Sequence, residues 1–250
     1  MAVTKNDIIA GLTTLGVASG NKVLVHSSLS SFGHVEGGAD TVIDAILDVI
    51  GEDGTMLVPT LTGHEGLSAD NPPIFDPTHT PCWTGTIPES FRKRPCAVRS
   101  CHPTHSVAAI GSDASHLTEG HQFSITPCDA LSPYGKLAKL KDSFILLVGV
   151  THESSTMFHH IEEIIGADYH MQRGLVKAKM IVDGVESERH IMLHRYGTPR
   201  NFNVMEQVFI EQGIQKTITI GNSEIRLVKV VEMVRTTVCA LRADKTILCE

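Results

Sequence analysis

The sequence of 250 residues has no run of about 18 consecutive apolar residues, so we expect no helix that spans a membrane. Its beginning, residues 1–9, has an early lysine and no continuous apolar stretch, which argues against a secretory signal. An excess of basic residues is also missing, because 21 Lys and Arg against 28 Asp and Glu give a net charge of −7. This balance argues against a nucleic-acid partner and is compatible with a cationic small molecule. We therefore predict a cytoplasmic protein that binds neither membranes nor nucleic acid.

Cysteine is scarce and follows no pattern. The six cysteines form no C-x-x-C pair, which is typical of free thiols in a reducing compartment and not of a disulfide framework. Histidine is frequent, with 14 residues, and the densest His/Cys segment is residues 96–105. The spacing in this segment matches no standard structural zinc pattern, so we predict no metal site.

The composition that remains is that of an ordinary globular protein, with 42% apolar and 20% charged residues. A helix is predicted over residues 7–15, capped by Thr4. An apolar strand over residues 22–26 is followed by a loop rich in serine and glycine, a helix over 40–50 and a strand over 55–59. Strand, loop, helix and strand in this order indicate a βαβ unit, so a parallel sheet is expected.

The rest of the chain is less uniform. Residues 62–105 are rich in proline and irregular apart from a short helix at 87–92, and a long irregular stretch inside a domain is usually functional. Beyond residue 167 the pattern becomes antiparallel, with a hairpin signal at residues 183–184. The further predicted elements are strands at 106–110, 143–150, 175–182, 188–194, 216–220 and 246–249 and helices at 113–117, from 203 to about 213, and at 223–238. We predict a single α/β domain over residues 1–250, an α/β/α sandwich around a mixed, mainly parallel sheet with a C-terminal antiparallel portion.

His159 and Glu162 are the most informative pair of residues. They follow the apolar strand at 143–150 across a short polar turn. If a helix begins near Ser154 or Ser155, the two side chains are three residues apart and share one face of its first turns. An imidazole held by a carboxylate at the end of a parallel strand is an arrangement for a general base. The alternative is an amphipathic helix with histidines at its solvated edge.

Two loops have the polar groups expected of a ligand site. Residues 26–33 lie between a strand and a helix, where open α/β sheets bind ligands, and their serines and backbone amides suit amide, carbonyl or phosphate groups. The loop is neither G-x-G-x-x-G nor a P-loop, and a serine-rich surface turn is the alternative. The second loop, residues 99–111, has an arginine, two histidines and several hydroxyls within a few positions.

An ordered set of motifs resembles the aminoglycoside N3-acetyltransferase family, which is distinct in fold from the GNAT acetyltransferases. The resemblance extends from about Val3 to Leu248. The motifs are VHSSLSSFG at 25–33, FDPxxTP at 75–81, GTIPESFR at 85–92, RSCHPTHS at 99–106, SPYGKL at 132–137, LLVGV at 146–150, TMFHHIE at 156–162 and RNF at 200–202. Ser155 and Met157 stand where the family has an amide and a hydroxyl, and Asn201 stands where relatives commonly have Asp.

The resemblance implies transfer of an acetyl group from acetyl-coenzyme A to an amine of an antibiotic. It implies that His159 is the general base and Glu162 the acidic residue beside it. The residues implied to bind the pantetheine and pyrophosphate of coenzyme A are His26, Ser27, Ser28, Leu29, Ser30, Ser31, Gly33, His102, Thr104, Ser106 and Val107.

The chemistry needs a base, because an aminoglycoside amine is mostly protonated at neutral pH. We expect direct attack of the amine on the thioester, with backbone amides of residues 27–31 stabilising the oxyanion; a ping-pong route through Cys101 is an alternative. An acceptor with ammonium groups needs negative potential. The acidic residues predicted to supply it are Asp70, Asp76, Glu153, Glu163 and Asp168, which are equally plausible as ordinary solvated surface.

Three other functions remain open at this stage. The first is acetyl transfer to a metabolite amine instead of an antibiotic. The second is binding of coenzyme A without catalysis. The third is a zinc-dependent hydrolase with His102, His105, His159 and His160 as ligands. The sequence leaves open which aminoglycosides are accepted and the oligomeric state.

Overall fold

The computed structural model describes residues 2–250. Within this range the strands are β1 Lys22–Ser27, β2 Thr55–Pro59, β3 Ile74–Phe75, β4 Val98–Arg99, β5 Val107–Gly111, β6 Ser143–Val148, β7 Val176–Val182, β8 Val185–Ile191, β9 Gln215–Ile220 and β10 Ser223–Lys229. The α-helices are α1 Lys5–Leu15, α2 Gly38–Ile50, α3 Thr86–Arg92, α4 Ala114–Thr118, α5 Pro133–Leu137, α6 Met157–Ile165, α7 Glu206–Glu211 and α8 Val230–Ala243. None of these helices is long and apolar enough to cross a membrane; α8, the longest, has 14 residues.

A seven-stranded mixed sheet forms the centre, in the spatial order β4-β5-β2-β1-β6-β10-β9. Strand β1 pairs in parallel with both β2 and β6, whereas the outer strands are antiparallel to their neighbours. The predicted mixed α/β sheet is confirmed, but the prediction that it is mainly parallel is wrong. Only the β1–β2 and β1–β6 pairings are parallel, and the other four pairings of the sheet are antiparallel. The predicted βαβ unit accounts for the β1–β2 pair, because a crossover through a helix returns the chain in the same direction.

Two apolar layers cover the faces of this sheet. In β1, Val23 and Val25 point into the layer shared with α1, α2 and α3, and Leu24 points into the layer shared with the remaining helices. Alternation of this kind follows from the two-residue period of a strand. The predicted α/β/α arrangement is confirmed.

A smaller sheet of order β3-β7-β8 lies apart from the large one. The predicted hairpin is present as β7 and β8, and Asp183 at its tip has φ 51°, a conformation that asparagine and aspartate tolerate. Residues 62–105 are mostly irregular, as predicted, and provide β3, α3 and β4.

The predicted helix at 223–238 is wrong at its start. Residues 223–229 form β10, which is antiparallel to β6 and β9, and the helix begins only at Val230. Ser223, Ile225 and Leu227 are buried while Glu224 is exposed, which is the two-residue period of a strand. The predicted strand at 246–249 is reduced to a single bridge between Arg200 and Cys249.

Thr4 caps the start of α1, as predicted, and the helix begins at Lys5, two residues before the predicted start. Thr4 and Asp7 make a reciprocal capping box, in which each side chain accepts a hydrogen bond from the backbone N–H of the other. The predicted helix from residue 203 begins instead with a 3₁₀ turn, Phe202–Met205, before α7. Asn203 does not cap it, because its side-chain oxygen accepts a hydrogen bond from the backbone N–H of His152 at 3.1 Å.

Candidate active site

The site lies where β1 and β6 end side by side. Because these strands are adjacent and parallel, the loop after β1 and the turn after β6 meet at the same edge of the sheet. Gly149 follows β6 with φ 62°, and a Cβ added there would lie 1.8 Å from the Oγ of Ser31. Only glycine therefore allows the two loops to approach this closely.

The predicted pair of His159 and Glu162 forms a hydrogen bond. The Nδ1 of His159 and the Oε2 of Glu162 are 2.8 Å apart, and both residues lie in α6, which begins at Met157 after a 3₁₀ turn at His152–Ser154. The Glu162 side chain has no exposed surface, whereas that of His159 is 26% exposed. The helix thus presents the imidazole to solvent while burying the carboxylate that holds it.

Glu162 also binds two residues from distant segments. Its Oε1 accepts a hydrogen bond from the Nε of Arg200 at 3.0 Å, and its Oε2 lies 3.0 Å from the Nδ1 of His170. Burial raises the pKa of Glu162, but the hydrogen bonds from His159 and His170 outweigh burial and hold this pKa well below its usual range. An ionised carboxylate only accepts, so we assign the Nδ1 of His159 as the donor and its Nε2 as a free acceptor.

A cavity of about 270 Å³ opens beside His159. Its walls come from the ends of β1, β2 and β6 and from the turn before α6. Its lining residues are Val25, His26, Ser27, Pro59, Leu61, Trp83, Thr84, Pro88, Val150, Glu153, Ser154, Ser155, Thr156 and His159. Trp83 is 61% exposed, and its indole N–H donates to the carbonyl of Gly63 at 2.8 Å, which fixes the ring at the wall.

A second, larger cavity of about 740 Å³ follows the loop at 26–33. It is lined by Ser27, Ser28, Leu29, Ser30, Gly33, His34, Val35, Gly37, Gly38, Gly85 and Thr86. Ser27 lines both cavities, so they meet at the end of β1. Helix α2 begins here behind Gly37, which has no side chain to cap it. The N–H of Gly38 donates to the carbonyl of Val35, and the N–H groups of Ala39 and Asp40 remain available to an anion.

Most of the predicted cofactor residues in the first loop line these cavities. His26 lies in the smaller one, and Ser28, Leu29, Ser30 and Gly33 lie in the larger. Ser31 does not line either; its hydroxyl lies 2.7 Å from that of Ser223 and donates to the carbonyl of Ser28 at 2.6 Å. Burial lowers the pKa of His26 to about 3, so this ring is neutral at physiological pH.

The second predicted cofactor segment lies in the protein interior. His102 is fully buried, its Nδ1 accepts from the backbone N–H of His105 at 3.1 Å, and its ring stacks on His121. Ser106 bonds to Thr60, and Val107 belongs to the apolar core. Neither these residues nor Thr104 line the two cavities described above.

Of the five predicted acceptor residues, only Glu153 lines the cavity beside His159. Asp70 and Asp168 are exposed elsewhere, and Asp76 accepts hydrogen bonds from the backbone N–H groups of Thr78 and His79. The side chain of Glu163 is only 6% exposed, and its carboxyl group accepts from the hydroxyl of Thr126 at 2.6 Å and the N–H of Cys128 at 2.9 Å. Burial raises the pKa of Glu163 to about 8.

Cys101 does not line the cavity beside His159. It lines a separate cavity with residues of the β7–β8 hairpin, including Met180 and Arg189. Burial raises the pKa of its thiol, which lowers the fraction of nucleophilic thiolate. Both observations weigh against a covalent route through this cysteine.

The sequence did not point to His170 and His194, two buried histidines packed around His159. Their ring centroids lie 5.1 Å and 4.9 Å from that of His159. His170 is isolated in an irregular segment and His194 follows the hairpin, so no spacing in the sequence links them to α6. Arg200 was visible only as part of the RNF motif.

These features define a class of protein: an α/β/α fold with a carboxylate-held histidine beside a cavity at the ends of its central strands. The chain belongs to the aminoglycoside 3-N-acetyltransferase family, whose family model matches residues 24–242.

Three relatives show the extent of the similarity. The chain is 35% identical to aminoglycoside N(3)-acetyltransferase VII of Streptomyces paromomycinus over 66% of its length, and the match spans 62% of that relative. It is 32% identical to the SPbeta prophage-derived aminoglycoside N(3')-acetyltransferase-like protein YokD of Bacillus subtilis (strain 168), over 92% of this chain and 89% of that one. Aminoglycoside N(3)-acetyltransferase IV of Salmonella sp is 28% identical over 97% of this chain and 89% of its own length.

Solved structures show the same fold. The crystal structure of aminoglycoside acetyltransferase AAC(3)-Xa has a TM-score of 0.85 at 30% identity and covers 96% of this chain and 93% of its own. That of YokD from Bacillus subtilis has a TM-score of 0.83 at 29% identity, covering 98% and 96%.

Proposed function

We propose that this protein is an N-acetyltransferase that moves the acetyl group of acetyl-CoA to the 3-amino group of an aminoglycoside. The observation that carries the proposal is the His159–Glu162 pair, which opens on a cavity that meets a second, serine-lined one. Family membership supports the reaction. A related enzyme at 26% identity, AAC(3)-IVa, has been solved in complex with a gentamicin, which supports the acceptor class.

The base acts on the ammonium group of the acceptor. The Nε2 of His159 accepts the proton, directly or through water, while Glu162 keeps Nδ1 protonated and stabilises the imidazolium that forms. The free amine then attacks the thioester carbonyl carbon. The C–N bond forms and the C–S bond breaks. The attacking nitrogen loses its second proton to the leaving thiolate, so coenzyme A leaves as the thiol, and the imidazolium of His159 returns the first proton to solvent. General-base catalysis of this kind contributes about 10²–10⁴-fold in rate.

The loop after β1 supplies the donors for the oxyanion. The N–H of Ser28 donates to the carbonyl of Val148, and that of Ser31 donates to the carbonyl of Ser28. Leu29 and Ser30 begin the 3₁₀ turn, and the first N–H groups of a helical turn have no partner inside it. Their amides are therefore the best placed within residues 27–31 to stabilise the developing charge.

The two cavities divide the substrates between them. The larger cavity, with the start of α2, suits the phosphates and pantetheine of coenzyme A. The smaller cavity, with Glu153 and His159 in its lining, suits the amine-bearing ring of the acceptor.

The decisive experiment mixes the purified protein with acetyl-CoA and a panel of gentamicin-type, kanamycin-type and unrelated amines, and follows free thiol. Thiol release that requires an aminoglycoside, with a product acetylated at the 3-amino group by NMR, supports the proposal. Release only with unrelated amines would keep the chemistry and remove the assigned acceptor. No release with any amine, with coenzyme A bound in calorimetry, would indicate a binding protein.

The base assignment has its own test. We expect His159→Ala to lower kcat by about 10²–10⁴-fold, because it removes the proton acceptor. Cys101→Ala is the matched control and should retain kcat, since direct attack needs no thiol. Full activity of His159→Ala, or loss of activity in Cys101→Ala with intact folding by circular dichroism, would contradict direct attack assisted by His159.

A further inference from the structure

Three histidines converge beside the cavity, although the proposed mechanism uses only one of them. One ring nitrogen from each of His159, His170 and His194 lies within 4.8 Å of those of the others. The centroids of the His170 and His194 rings are 4.1 Å apart. The three residues come from α6, from the segment after it and from the segment after β8, so the tertiary fold brings them together.

Each of these histidines is held by a carboxyl group through one nitrogen. The Nδ1 atoms of His159 and His170 lie 2.8 Å and 3.0 Å from the Oε2 of Glu162. The Nε2 of His194 lies 3.0 Å from the Oε1 of Glu163. Histidines that bind metals almost always donate their second N–H in this way, which fixes the ring and leaves the other nitrogen with its lone pair free.

An unpaired atom points to a missing ligand. The Nε2 of His170 is buried and has no hydrogen-bond partner among residues 2–250, and its side chain is only 1% exposed. Buried polar atoms in folded proteins are nearly always paired, so an unpaired one calls for an explanation. Its Nδ1 lies 3.0 Å from the Oε2 of Glu162 and 3.3 Å from the Nη2 of Arg200, which can only donate. With the Nδ1 proton directed to Glu162, Nε2 is the available ligand atom.

We infer that His159, His170 and His194 form a binding site for zinc or a similar borderline divalent cation, with the fourth position open to the cavity. Imidazole nitrogens favour such ions, whereas Mg²⁺ and Ca²⁺ prefer oxygen ligands. Zinc–nitrogen bonds of about 2.0–2.1 Å put tetrahedral ligands about 3.3 Å apart. From the separations present here, at most 4.8 Å, the rings need to approach one another by about 1.5 Å or less. His159 lines the cavity and is the ring with most freedom to move.

A neighbouring cluster of His105, Cys128 and His194 is the weaker candidate. Its ligand atoms are also within 4.8 Å of one another. Zinc binds the thiolate, and burial raises the pKa of the Cys128 thiol well above its usual range. Binding there would require loss of a costly proton, whereas neutral imidazoles bind zinc without one.

Occupation of the site blocks acetyl transfer, and this consequence rests on the proposed function. The metal takes the lone pair of His159 that otherwise accepts the amine proton. We therefore expect zinc to inhibit the enzyme reversibly and a chelator to restore it. Metal binding itself is independent of the function and is measured without substrates.

The test titrates the chelator-treated full chain with Co²⁺, followed by visible absorption, and with Zn²⁺, followed by calorimetry. We expect one equivalent to bind, with ligand-field bands of a low-coordinate site and no thiolate-to-metal charge-transfer band. His159→Gln, His170→Gln and His194→Gln should each weaken binding at least tenfold. His116→Gln, an exposed histidine on α4, is the matched control and should bind as the wild type does. Mg²⁺ should not bind.

Several outcomes would overturn the site. The first is that the protein does not bind the metal at micromolar concentration. The second is that all three variants bind it as tightly as the wild type does. The third is that Cys128→Ala loses binding while His159→Gln retains it. Because His159 is partly exposed, its variant is the one expected to fold even if the two buried substitutions do not, and circular dichroism of each variant checks this. Inhibition without the three-histidine binding would contradict the proposal, while binding without any acetyl transfer would leave it standing and reject the proposed function.

Discussion

At the scale of single residues, the site is organised around the carboxylate of Glu162, which is contacted by three side chains. His159, His170 and Arg200 approach it from three different segments. A buried carboxylate is stable only when it is paired, and removing one partner of such a group is costly. Under the proposed mechanism, Glu162 serves both catalysis and stability, and variants of Glu162 and of its partners separate the two effects.

Glu162→Gln should impair catalysis more than binding. The amide keeps the size of the side chain but loses the negative charge that stabilises an imidazolium, and it no longer enforces the Nδ1–H tautomer of His159. We expect kcat to fall by about 10²-fold or more, with little change in KM for acetyl-CoA. Steady-state thiol release measures both constants. Glu211→Gln, an exposed residue of α7, is the control, and an unchanged kcat in Glu162→Gln would refute the role of the carboxylate.

Arg200→Met should lower stability. Its Nε donates to Glu162 at 3.0 Å, its guanidinium lies over the ring of Tyr169, and its side chain is only 13% exposed. Loss of one partner of a buried pair costs about 3–5 kcal/mol in the free energy of unfolding.

Urea unfolding measures this loss of free energy. The control is Lys177→Met, which removes an exposed pair with Glu188 and should cost about 0–1 kcal/mol. Equal effects of the two substitutions would show that the buried ion pair contributes no more than a surface one.

At the scale of secondary-structure elements, the site depends on two loops held against each other at the ends of β1 and β6. Gly149 makes this contact possible, because Ser31 occupies the space of a Cβ. The loop at residues 26–33 also lines both cavities. Under the proposed function, its position therefore determines where acetyl-CoA lies relative to His159.

Gly149→Ala should therefore displace the loop and weaken binding of coenzyme A. The substitution adds a methyl group 1.8 Å from Ser31 Oγ, in a backbone with φ 62°. We expect the Kd for coenzyme A in calorimetry to rise by about tenfold or more, which corresponds to about 1.4 kcal/mol. Gly174→Ala is the matched control, since it has φ 88° and no heavy atom within 4 Å of the added Cβ. If both variants bind coenzyme A equally well, the contact does not position the loop.

The sequence predicted the local elements that contain the site, but not the distant residues that contact them. The spacing of His159 and Glu162 was enough to predict a shared helix face, because three residues nearly complete a helical turn. His170 and Arg200 reach Glu162 only through the tertiary fold, and no local pattern encodes that contact. Residues 223–229 were predicted to be the start of a helix, whereas the alternation of buried and exposed residues marks a strand.

At the scale of the whole molecule, strand direction was the feature least accessible from the sequence. The βαβ unit determines one parallel pair, but the direction of β5 and β10 follows from how the chain returns to the sheet. The hairpin of β7 and β8 was predicted correctly, and its placement in a separate sheet depends on its contact with β3. These are long-range pairings, which turn and alternation signals do not specify.

Glu163, whose side chain is almost fully buried, makes the free energy of unfolding depend on pH. Its pKa is raised by burial from 4.5 to about 8, so the folded state holds a proton that the unfolded state releases. Between these values the unfolded state binds fewer protons, and this carboxyl group therefore makes the protein less stable as pH rises. The contribution is absent below pH 4.5 and reaches its full size above about pH 8.

Glu163→Gln should remove this dependence. The amide oxygen still accepts from the N–H of Cys128, and the amide group resembles the protonated acid next to Thr126. We expect the variant to gain stability relative to the wild type as pH rises from 5 to 8, by about 2–4 kcal/mol at the upper end. Urea unfolding at several pH values measures the difference. Glu188→Gln, exposed on β8, is the control, and its free energy of unfolding should differ from that of the wild type by the same amount at every pH. If the difference between the wild type and Glu163→Gln also does not change with pH, Glu163 is already ionised in the folded protein.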